Sequence, residues 1–317
     1  MSPYRFADRV GADDCFSNRL TATVRKGGAM SDEATAFVPG HVTGFFSVHR
    51  AATPAKAGSR GGGLTLTDGV DVRVERADER RVTLNGRETS VPAVEYVLDA
   101  LDVTAAVAAE TALPVGAGFG VSGGMALGTA LAANEVFGAA RTENDLVRVA
   151  HEGEVEAGTG LGDVVAQARG GVPLRLDPGA PPHGELDGVP AAARVEYVSL
   201  GELSTADVLE GSTARLSTAG VQALEEVREE PTLATFVERS RWFAEQAGLL
   251  TDEVSGIVDD VVEAGGEASM AMLGHTVFAL GHGLTDAGYD AAATRVHPGG
   301  AGLTAADGAN GAGERGE

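Results

Sequence analysis

A glycine-rich loop before an Ala/Leu-rich segment gives the chain its most informative stretch, Pro114-Val-Gly-Ala-Gly-Phe-Gly-Val-Ser-Gly-Gly-Met125. Because glycine has no side chain, the backbone N–H groups of such a loop can turn towards an anion. A helix that begins after the loop adds roughly half a positive charge at its N-terminus. The pattern is typical of a phosphate-binding loop. The spacing alone leaves a second interpretation open, a flexible turn in which Ser122 is an ordinary N-cap.

A second cluster of polar residues spans positions 151–163, HEGEVEAGTGLGD. His151 and Glu154 are three residues apart and therefore share one face of a helix. We expect this helix to end at Gly158, and Asp163 then follows a second glycine-rich loop, from which a carboxylate can turn into a cleft. The chain has 46 acidic residues, most of which must be solvated surface groups. Position alone therefore makes these three side chains candidates without assigning their roles.

Several well-known site motifs are missing from the sequence. The loop lacks the Gly-Lys-Ser/Thr ending of a Walker A motif, and no acidic residue stands at the end of a second strand at the distance that a dinucleotide fingerprint requires. The histidines show no H-E-x-x-H spacing, so His41 and the others except His151 are interpreted as structural. Cys15 is the only cysteine, which excludes an intramolecular disulfide and a cysteine-based zinc finger.

The charge balance is strongly acidic, with 24 Lys and Arg against 46 Asp and Glu and a net charge of −22. Such a surface repels nucleic acid phosphates and anionic membranes, so we expect neither as a partner. Only Lys26 and Lys56 are lysines. An acid excess with so little lysine indicates adaptation to a salty cytoplasm, because the Debye length falls to about 3 Å at 1 M salt. We expect a cytoplasmic protein, since no apolar run approaches the roughly 20 residues of a membrane span.

Hydrophobic periodicity and turn residues predict alternating strands and helices. The predicted strands are 36–48, 64–67, 70–74, 82–84, 171–176 and 195–200, with an apolar segment at 269–281. Residues 103–113 fit either a helix or a strand, and the glycine loop that follows them favours a strand. The predicted turns are Pro39-Gly40, Asp68-Gly69 and Asn85-Gly86, and 57–63 is predicted as a glycine-rich loop. The predicted helices are one that begins near Pro92, then 125–137, 142–157 with Thr142 as N-cap, 217–228, 232–247 and 252–264.

The length of 317 residues favours about two domains. Residues 1–33 are predicted to be an extension that is disordered or not translated, because Met30 precedes the first convincing strand. An N-terminal domain is predicted over 34–180 and a C-terminal domain over 190–297, joined by a Pro- and Gly-rich linker. Residues 298–317 are predicted to be a disordered tail.

Three motifs, in order, resemble those of the GHMP kinases. The glycine loop resembles their P-x-x-x-G-L-G-S-S-A-A loop, although Val121 replaces the first serine. Pro39-Gly40-His-Val-Thr-Gly44 resembles their N-terminal motif, and Ala268–Phe278 stands where their third motif should be, without its run of glycines. The residues of these three motifs are most similar to those of the archaeal-type pantoate kinases. The resemblance extends from about Phe37 to Leu280.

The resemblance implies an α+β, two-domain GHMP kinase fold, with an N-terminal domain like ribosomal protein S5 domain 2 and a ferredoxin-like C-terminal domain. It implies that ATP with Mg²⁺ phosphorylates the primary hydroxyl of (R)-pantoate, giving 4-phosphopantoate for coenzyme A biosynthesis. Two alternatives stay open. The acceptor could be another small alcohol, such as homoserine, shikimate or mevalonate, or the chain could be a non-catalytic nucleotide-binding protein of the same fold. A homodimer stays open as an alternative to a monomer.

The resemblance also implies roles for individual residues. Asp163 would accept the hydroxyl proton, and Ser122 and Glu154 would bind Mg²⁺; Glu152 is an alternative to Glu154, because its distance to Asp163 fits mevalonate kinases better. The positions that match pantoate contacts are Ser47, His151 and Arg175. The positions that would bind ATP are Pro114, Gly116, Ala117, Gly118, Phe119, Gly120, Val121, Ser122, Gly123 and Gly124.

Overall fold

The computed structural model describes residues 32–201, 213–272 and 274–304. They form two β-sheets with helices packed around them. The eight-stranded sheet consists of β1 Glu33–His49, β2 Gly58–Arg76, β3 Arg81–Leu84, β4 Arg87–Glu88, β5 Ala105–Thr111, β6 Val172–Asp177, β7 Glu185–Val189 and β12 Gly302–Leu303. The four-stranded sheet consists of β8 Arg194–Gly201, β9 Ala268–Ala271, β10 His275–Leu280 and β11 Ala292–Arg295.

The helices lie between and beside these strands in the chain. They are α1 Pro92–Ala100, α2 Val121–Phe137, α3 Glu143–Ala157, α4 Asp163–Arg169, α5 Ala214–Glu229, α6 Leu233–Ala247, α7 Asp252–Glu263 and α8 Gly283–Asp286. Within the described ranges, no helix is both long and apolar enough to cross a membrane.

The eight-stranded sheet has the order β12-β1-β2-β5-β3-β4, while β6 also pairs with β2 and β7 with β6. Its pairs are antiparallel except β3 with β5. The four-stranded sheet is antiparallel with the order β11-β8-β10-β9. The predicted mixture of helices and sheets is therefore confirmed.

Two of the three predicted turns are wrong, because β1 and β2 continue through them. Pro39 pairs with Gly69, and the next residue, Gly40, pairs with Leu66, so the two strands bulge at this point instead of turning. Proline and glycine are as typical of a bulge as of a turn, and the local sequence does not separate the two. The same bulge explains Asp68-Gly69, which was the second predicted turn.

The predicted loop over 57–63 is also wrong, since β2 begins at Gly58. The φ angle of Gly61 is 150°, and a Cβ atom at this residue would lie only 2.2 Å from the carbonyl oxygen of Phe45. The two strands are thus too close together for a side chain here. The glycines mark close packing of β1 on β2 rather than a loop.

Local signals were more reliable further along the chain. Asn85 and Gly86 form a two-residue turn with φ angles of 50° and 74° between β3 and β4, as predicted. Helix α1 starts at Pro92. Thr142 caps α3 by accepting a hydrogen bond from the Asp145 amide. These features depend on a few neighbouring residues, which is why the sequence predicts them.

Helix α2 forms the centre of the N-terminal half and is buried on nearly all sides. It packs against β1, β2, α1, α3 and α4. Its Gly and Ala residues permit this close packing. The described residues form one contiguous hydrophobic core, which extends into the four-stranded sheet through α5 and α6, where Phe236 packs on Phe45 and Phe243 on Phe46.

The predicted domain boundaries stay a prediction, but the chain positions of the strands bear on them. All strands of the four-stranded sheet lie within 190–297. The predicted linker contains β7, which belongs to the eight-stranded sheet, and the predicted disordered tail contains β12, which pairs with β1. Disorder is therefore wrong for the part of the tail that pairs, whereas residues 1–31 and 305–317 lie outside the described residues.

Candidate active site

The glycine loop leads directly into α2, which begins at Val121, four residues earlier than predicted. Gly120 is the N-cap, in the left-handed conformation with φ 65°, and no side chain caps the helix. Ser122 is therefore not the N-cap but a residue of the first turn. The first amides of a helix have no partner within the helix, so these uncapped N–H groups are free to bind an anion.

Two other parts of the chain hold this loop in place. The backbone N–H of His41 donates to the carbonyl of Phe119 at 3.0 Å, and the Thr276 hydroxyl donates to the carbonyl of Ala117 at 2.9 Å. The amide of Met272 donates to the carbonyl of Thr43 at 2.9 Å. The three motifs that resemble GHMP kinase motifs therefore meet at one place in the structure.

Glu154 contacts the first turn of α2 from the last turn of α3. Its Oε1 accepts hydrogen bonds from the hydroxyls of Ser122 at 2.5 Å and Thr159 at 2.8 Å. The side chain is buried, and burial raises the pKa of Glu154 to about 7 although both hydroxyls oppose this effect. A hydroxyl and a carboxylate thus lie together beside the anion-binding end of the helix.

Glu152, the alternative to Glu154, points towards a different element. Its Oε2 accepts a hydrogen bond from the Tyr96 hydroxyl of α1 at 3.2 Å. Of the two carboxylates, the structure brings only Glu154 into hydrogen-bond contact with Ser122.

Asp163 is the first residue of α4 and lies on the other side of the loop that follows Glu154. Its Oδ1 lies 2.7 Å from Nδ1 of the fully buried His41. A Cβ atom added at Gly160 would lie 3.5 Å from Asp163 Oδ2 and 2.2 Å from Glu154 Oε2, so the two carboxylates flank one point. Burial raises the pKa of Asp163, but the hydrogen bond from His41 and the charge of Arg175 outweigh burial and hold that pKa below its usual range.

Arg175 is carried by β6, at the position where this strand pairs with Gly61 of β2. Its side chain is only 2% exposed, and its Nε and Nη1 have no hydrogen-bond partner among the described residues. Burial lowers the pKa of Arg175 to about 10, against the opposing charge of Asp163. A Cβ atom at Gly162 would meet both Arg175 Nε and the Ser59 hydroxyl at under 3 Å, so the guanidinium lies next to the loop that carries Asp163.

His151 and Ser47, the other two predicted contacts to the acceptor substrate, differ in how they interact with Asp163 and Arg175. His151 is buried near Asp163 and Arg175, whose charges act on it, and its Nε2 lies 2.9 Å from the carbonyl of Ala57. Burial lowers the pKa of His151. The Ser47 hydroxyl is 3.0 Å from Nε2 of His49, and no hydrogen bond within the described ranges joins it to Asp163 or Arg175.

The sequence analysis missed two side chains that contact this site. His41 was interpreted as a structural histidine, because 122 residues separate it from Asp163 and no spacing rule connects them. Gln167 was not considered, although it lies one helical turn after Asp163; its side-chain amide donates to the carbonyls of Pro39 and Gly120, both at 3.0 Å. The position of His41 within the Pro-Gly-His motif was the only available signal.

The chain resembles known proteins over most of its length. Residues 88–171 match the GHMP kinases N terminal domain family. The pantoate kinase of Thermococcus kodakarensis is 38% identical over 264 residues, which cover 77% of this chain and 86% of that protein. The pantoate kinase of Methanocaldococcus jannaschii is 32% identical over 251 residues, which cover 77% of this chain and 91% of that protein.

A solved structure supports the same assignment. A phosphotransferase related to the coenzyme A biosynthesis pathway superimposes with a TM-score of 0.78 at 33% identity, covering 87% of this chain and all of that one. This similarity confirms the predicted α+β, two-domain GHMP kinase fold. On the strength of its sequence relatives and its fold, the chain belongs to the pantoate kinase family of the GHMP kinases.

Proposed function

We propose that this chain transfers the γ-phosphoryl group of ATP to the primary hydroxyl of pantoate, giving 4-phosphopantoate for coenzyme A biosynthesis. The single observation that carries the acceptor side is Arg175, a buried guanidinium whose Nε and Nη1 have no hydrogen-bond partner among the described residues and whose charge acts on the carboxylate of Asp163. Leaving a buried charged donor without a partner is costly. A small substrate that brings its own carboxylate would remove this cost.

The guanidinium supports a carboxylate-bearing alcohol in general, and the relatives support pantoate in particular. An arginine presents a planar fork that matches a carboxylate through two parallel hydrogen bonds. His151 lies close enough for the charge of Arg175 to act on it and is the second acceptor contact that we propose. Ser47 would be a third contact to the acceptor only if the substrate extends to the hydrogen-bonded Ser47 and His49 side chains.

On the donor side, the loop from Pro114 to Gly124 would hold the phosphates of ATP through backbone amides. Gly116 is exposed, whereas Ala117 and Phe119 are buried and anchor the loop. The loop has no lysine, so its amides and the positive end of α2 must carry the anion binding.

Ser122 and Glu154 fit Mg²⁺, a hard cation that takes oxygen ligands. In the described part of the chain, no group of three or more His, Cys, Asp or Glu side chains could hold a metal ion. Mg²⁺ is nevertheless usually bound through only one or two carboxylates together with substrate phosphates, and it keeps several waters. When bound there, Mg²⁺ would offset negative charge on the transferring phosphoryl group.

Asp163 would accept the proton of the attacking hydroxyl. A new bond forms between the hydroxyl oxygen and the γ-phosphorus, the bond between the γ-phosphorus and the bridging oxygen breaks, the proton passes to the carboxylate, and ADP leaves. Phosphoryl transfer depends mainly on positioning and charge neutralisation, so a carboxylate can take this proton late in the reaction. The lowered pKa of Asp163 keeps it ionised and ready for that step.

The test is an assay of ADP release with ATP and Mg²⁺ in molar KCl. We expect turnover with pantoate in the range of about 1 to 100 per second, as is typical of kinases. Homoserine, shikimate and mevalonate are the comparison acceptors. A higher kcat/KM with any of them would assign that alcohol, and not pantoate, as the acceptor. Nucleotide binding without turnover on any acceptor would favour the non-catalytic alternative.

We also propose that the protein works in a salty cytoplasm. The net charge of −22 supports this proposal, because self-repulsion among so many carboxylates is screened only at high ionic strength. Circular dichroism during dialysis from molar KCl to dilute buffer should show loss of structure, and a fold that is indifferent to KCl would contradict the proposal.

A further inference from the structure

The contact between His41 and Asp163 lies outside the roles described so far. The His41 side chain is completely buried, that of Asp163 is 21% exposed, and Nδ1 and Oδ1 are 2.7 Å apart. Such a short bond to a carboxylate, with one partner fully removed from water, restricts the rotation of the Asp163 side chain. The contact joins β1 to the first residue of α4.

The hydrogen bonds of the imidazole determine its tautomer. An ionised carboxylate only accepts, so Nδ1 must carry the hydrogen in this bond. Nε2 is buried and has no partner among the described residues. A proton on Nε2 would leave a charged donor buried without an acceptor, which is costly. His41 is therefore a neutral imidazole that donates from Nδ1 and keeps a lone pair on Nε2.

The backbone around His41 is fixed without help from its side chain. The bulge of β1 lies directly before His41, and the His41 amide donates to the carbonyl of Phe119. Gln167 of α4 holds the carbonyl of Pro39, two residues before His41. A change of the His41 side chain therefore leaves a second clamp between β1 and α4, and the fold does not depend on this residue alone.

The two oxygens of Asp163 face different surroundings. Oδ1 is occupied by His41. Oδ2 faces the point near Gly160 that is also next to Glu154, and Glu154 contacts the first turn of α2. Oδ2 is thus the oxygen that His41 does not hold, on the side of the site where Glu154 lies.

We propose that His41 is a positioning residue that holds Asp163 Oδ1 and so directs Oδ2 at the hydroxyl of the acceptor. This inference rests on the proposed function, because it requires Asp163 to take the substrate proton. His41 itself does not touch the reacting atoms. Its contribution is orientation, and a displacement of about 1 Å at a reacting group can reduce a rate by about 100-fold.

A pair of amide variants tests this role. The side-chain nitrogen of asparagine stands close to the place of the histidine Nδ1, whereas that of glutamine stands closer to the place of Nε2. His41→Asn should keep kcat within about tenfold of the wild type, while His41→Gln should lower kcat about 100-fold. KM for ATP should stay within about threefold in both variants, since the Phe119 bond comes from the backbone. The control is the same pair of substitutions at the exposed His183, which should leave kcat unchanged.

The outcomes separate positioning from a purely structural role. If the two His41 variants lose equal activity, or neither loses any, the inference is overturned. If KM for ATP rises as much as kcat falls, His41 acts on the glycine loop and the inference is again wrong. Should the wild type fail to phosphorylate any acceptor, the proposed function fails, and this result is distinct from an active wild type with unaffected variants.

Nitrogen-15 NMR of the imidazole gives a second test that needs no substitution at His41. We expect the wild type to show a neutral ring with hydrogen on Nδ1, and Asp163→Asn to shift the Nδ1 resonance. A ring protonated on Nε2 alone, or an Nδ1 resonance that does not respond to Asp163→Asn, would overturn the inference even if the His41 variants do not fold.

Discussion

Two carboxylates, the buried Glu154 and the partly exposed Asp163, lie on either side of the same point in this site, and their surroundings push their pKa values in opposite directions. Burial raises the pKa of Glu154 to about 7, because its partners are two neutral hydroxyls. Burial also acts on Asp163, yet an imidazole donor and the charge of Arg175 lower the pKa of this group. Pairs of titratable groups separated in this way are typical of active sites, where one group must stay ionised.

The difference lies in how far the partners of each carboxylate oppose burial. The hydroxyls of Ser122 and Thr159 offset only part of the effect of burial on the pKa of Glu154, whereas the hydrogen bond from His41 and the charge of Arg175 outweigh burial at Asp163. The guanidinium of Arg175 supplies a charge at low exposure, where screening by water is weak. Asp163 is therefore the carboxylate that stays ionised, and the substitutions below test this assignment.

The largest effect is expected for Asp163→Asn. The variant keeps the size of the side chain and can still accept a hydrogen bond from His41, but it cannot take a proton from the hydroxyl. We expect kcat to fall about 1000-fold, within the range of general base catalysis. Steady-state ADP release with saturating pantoate measures this change.

The matched control for this variant is Asp187→Asn, at an exposed position of β7. It should leave kcat unchanged, and circular dichroism should show that both variants fold. An Asp163→Asn enzyme with wild-type turnover would remove this residue from the mechanism and with it the functional meaning of the lowered pKa.

The second change, Arg175→Ala, removes the charge that favours ionised Asp163 and the proposed partner of the acceptor carboxylate. We expect KM for pantoate to rise about 100-fold, because truncating one partner of a buried charge pair costs about 2 to 5 kcal/mol. KM for ATP should change little, as the loop amides do not involve Arg175. Initial rates over both substrates separate the two constants.

An amide analogue of pantoate supplies the control for Arg175→Ala. It keeps the hydroxyls but lacks the carboxylate, so the wild type should bind it poorly, and Arg175→Ala should bind it no worse. An equal rise in KM for pantoate, its amide and ATP would contradict a specific contact with the carboxylate.

The third change, Glu154→Gln, tests the other carboxylate through stability rather than turnover. The folded protein holds the Glu154 proton up to about pH 7, whereas the unfolded chain releases it near the ordinary value of 4.5. The folded state therefore binds more protons between these values, and its stability falls as pH rises through this window. The shift corresponds to about 2 to 3 kcal/mol lost between pH 5 and pH 8.

Glutamine has no proton to lose, so Glu154→Gln should be more stable than the wild type at pH 8 and similar to it at pH 5. Denaturant unfolding in EDTA and high KCl measures the difference. Asp163 should show the opposite sign, since its lowered pKa adds stability above its ordinary range. A Glu154→Gln variant with the same advantage at both pH values would show that packing, not ionisation, is responsible.

The sequence predicted the parts of this site that depend on neighbours in the chain. The glycine loop, the helix with Glu154, the break at Gly158 and the candidate Asp163 follow from the local sequence, and the family resemblance added Arg175 and the role of Asp163. Six of the eight described α-helices were predicted to within a few residues, because caps and periodicity are local, whereas the short helices α4 and α8 were not predicted.

The interactions that distinguish the two carboxylates could not be predicted, because they join distant segments. His41 and Asp163 are 122 residues apart, and the orphan nitrogens of Arg175 result from burial that only the assembled fold creates. The glycine-rich start of β2 was misread for the same reason. Its glycines allow the backbone of Phe45 in the neighbouring strand to come close. The sequence of one strand does not show how close its neighbour lies.

The smallest expected effect comes from Ser122→Ala, which removes one of the two hydroxyl donors of Glu154. A hydrogen bond to an ionised group contributes about 1.5 to 3 kcal/mol, and Thr159 still donates to the same oxygen, so we expect a loss of about 1 to 2 kcal/mol at pH 8. At pH 5 the carboxyl is protonated, and the loss should be smaller. In the Glu154→Gln background the loss should also shrink, since the acceptor is then neutral at every pH. Denaturant unfolding of the four proteins in this cycle measures the coupling, and a loss of the same size in both backgrounds would mean that the Ser122 hydroxyl does not act through the charge of Glu154.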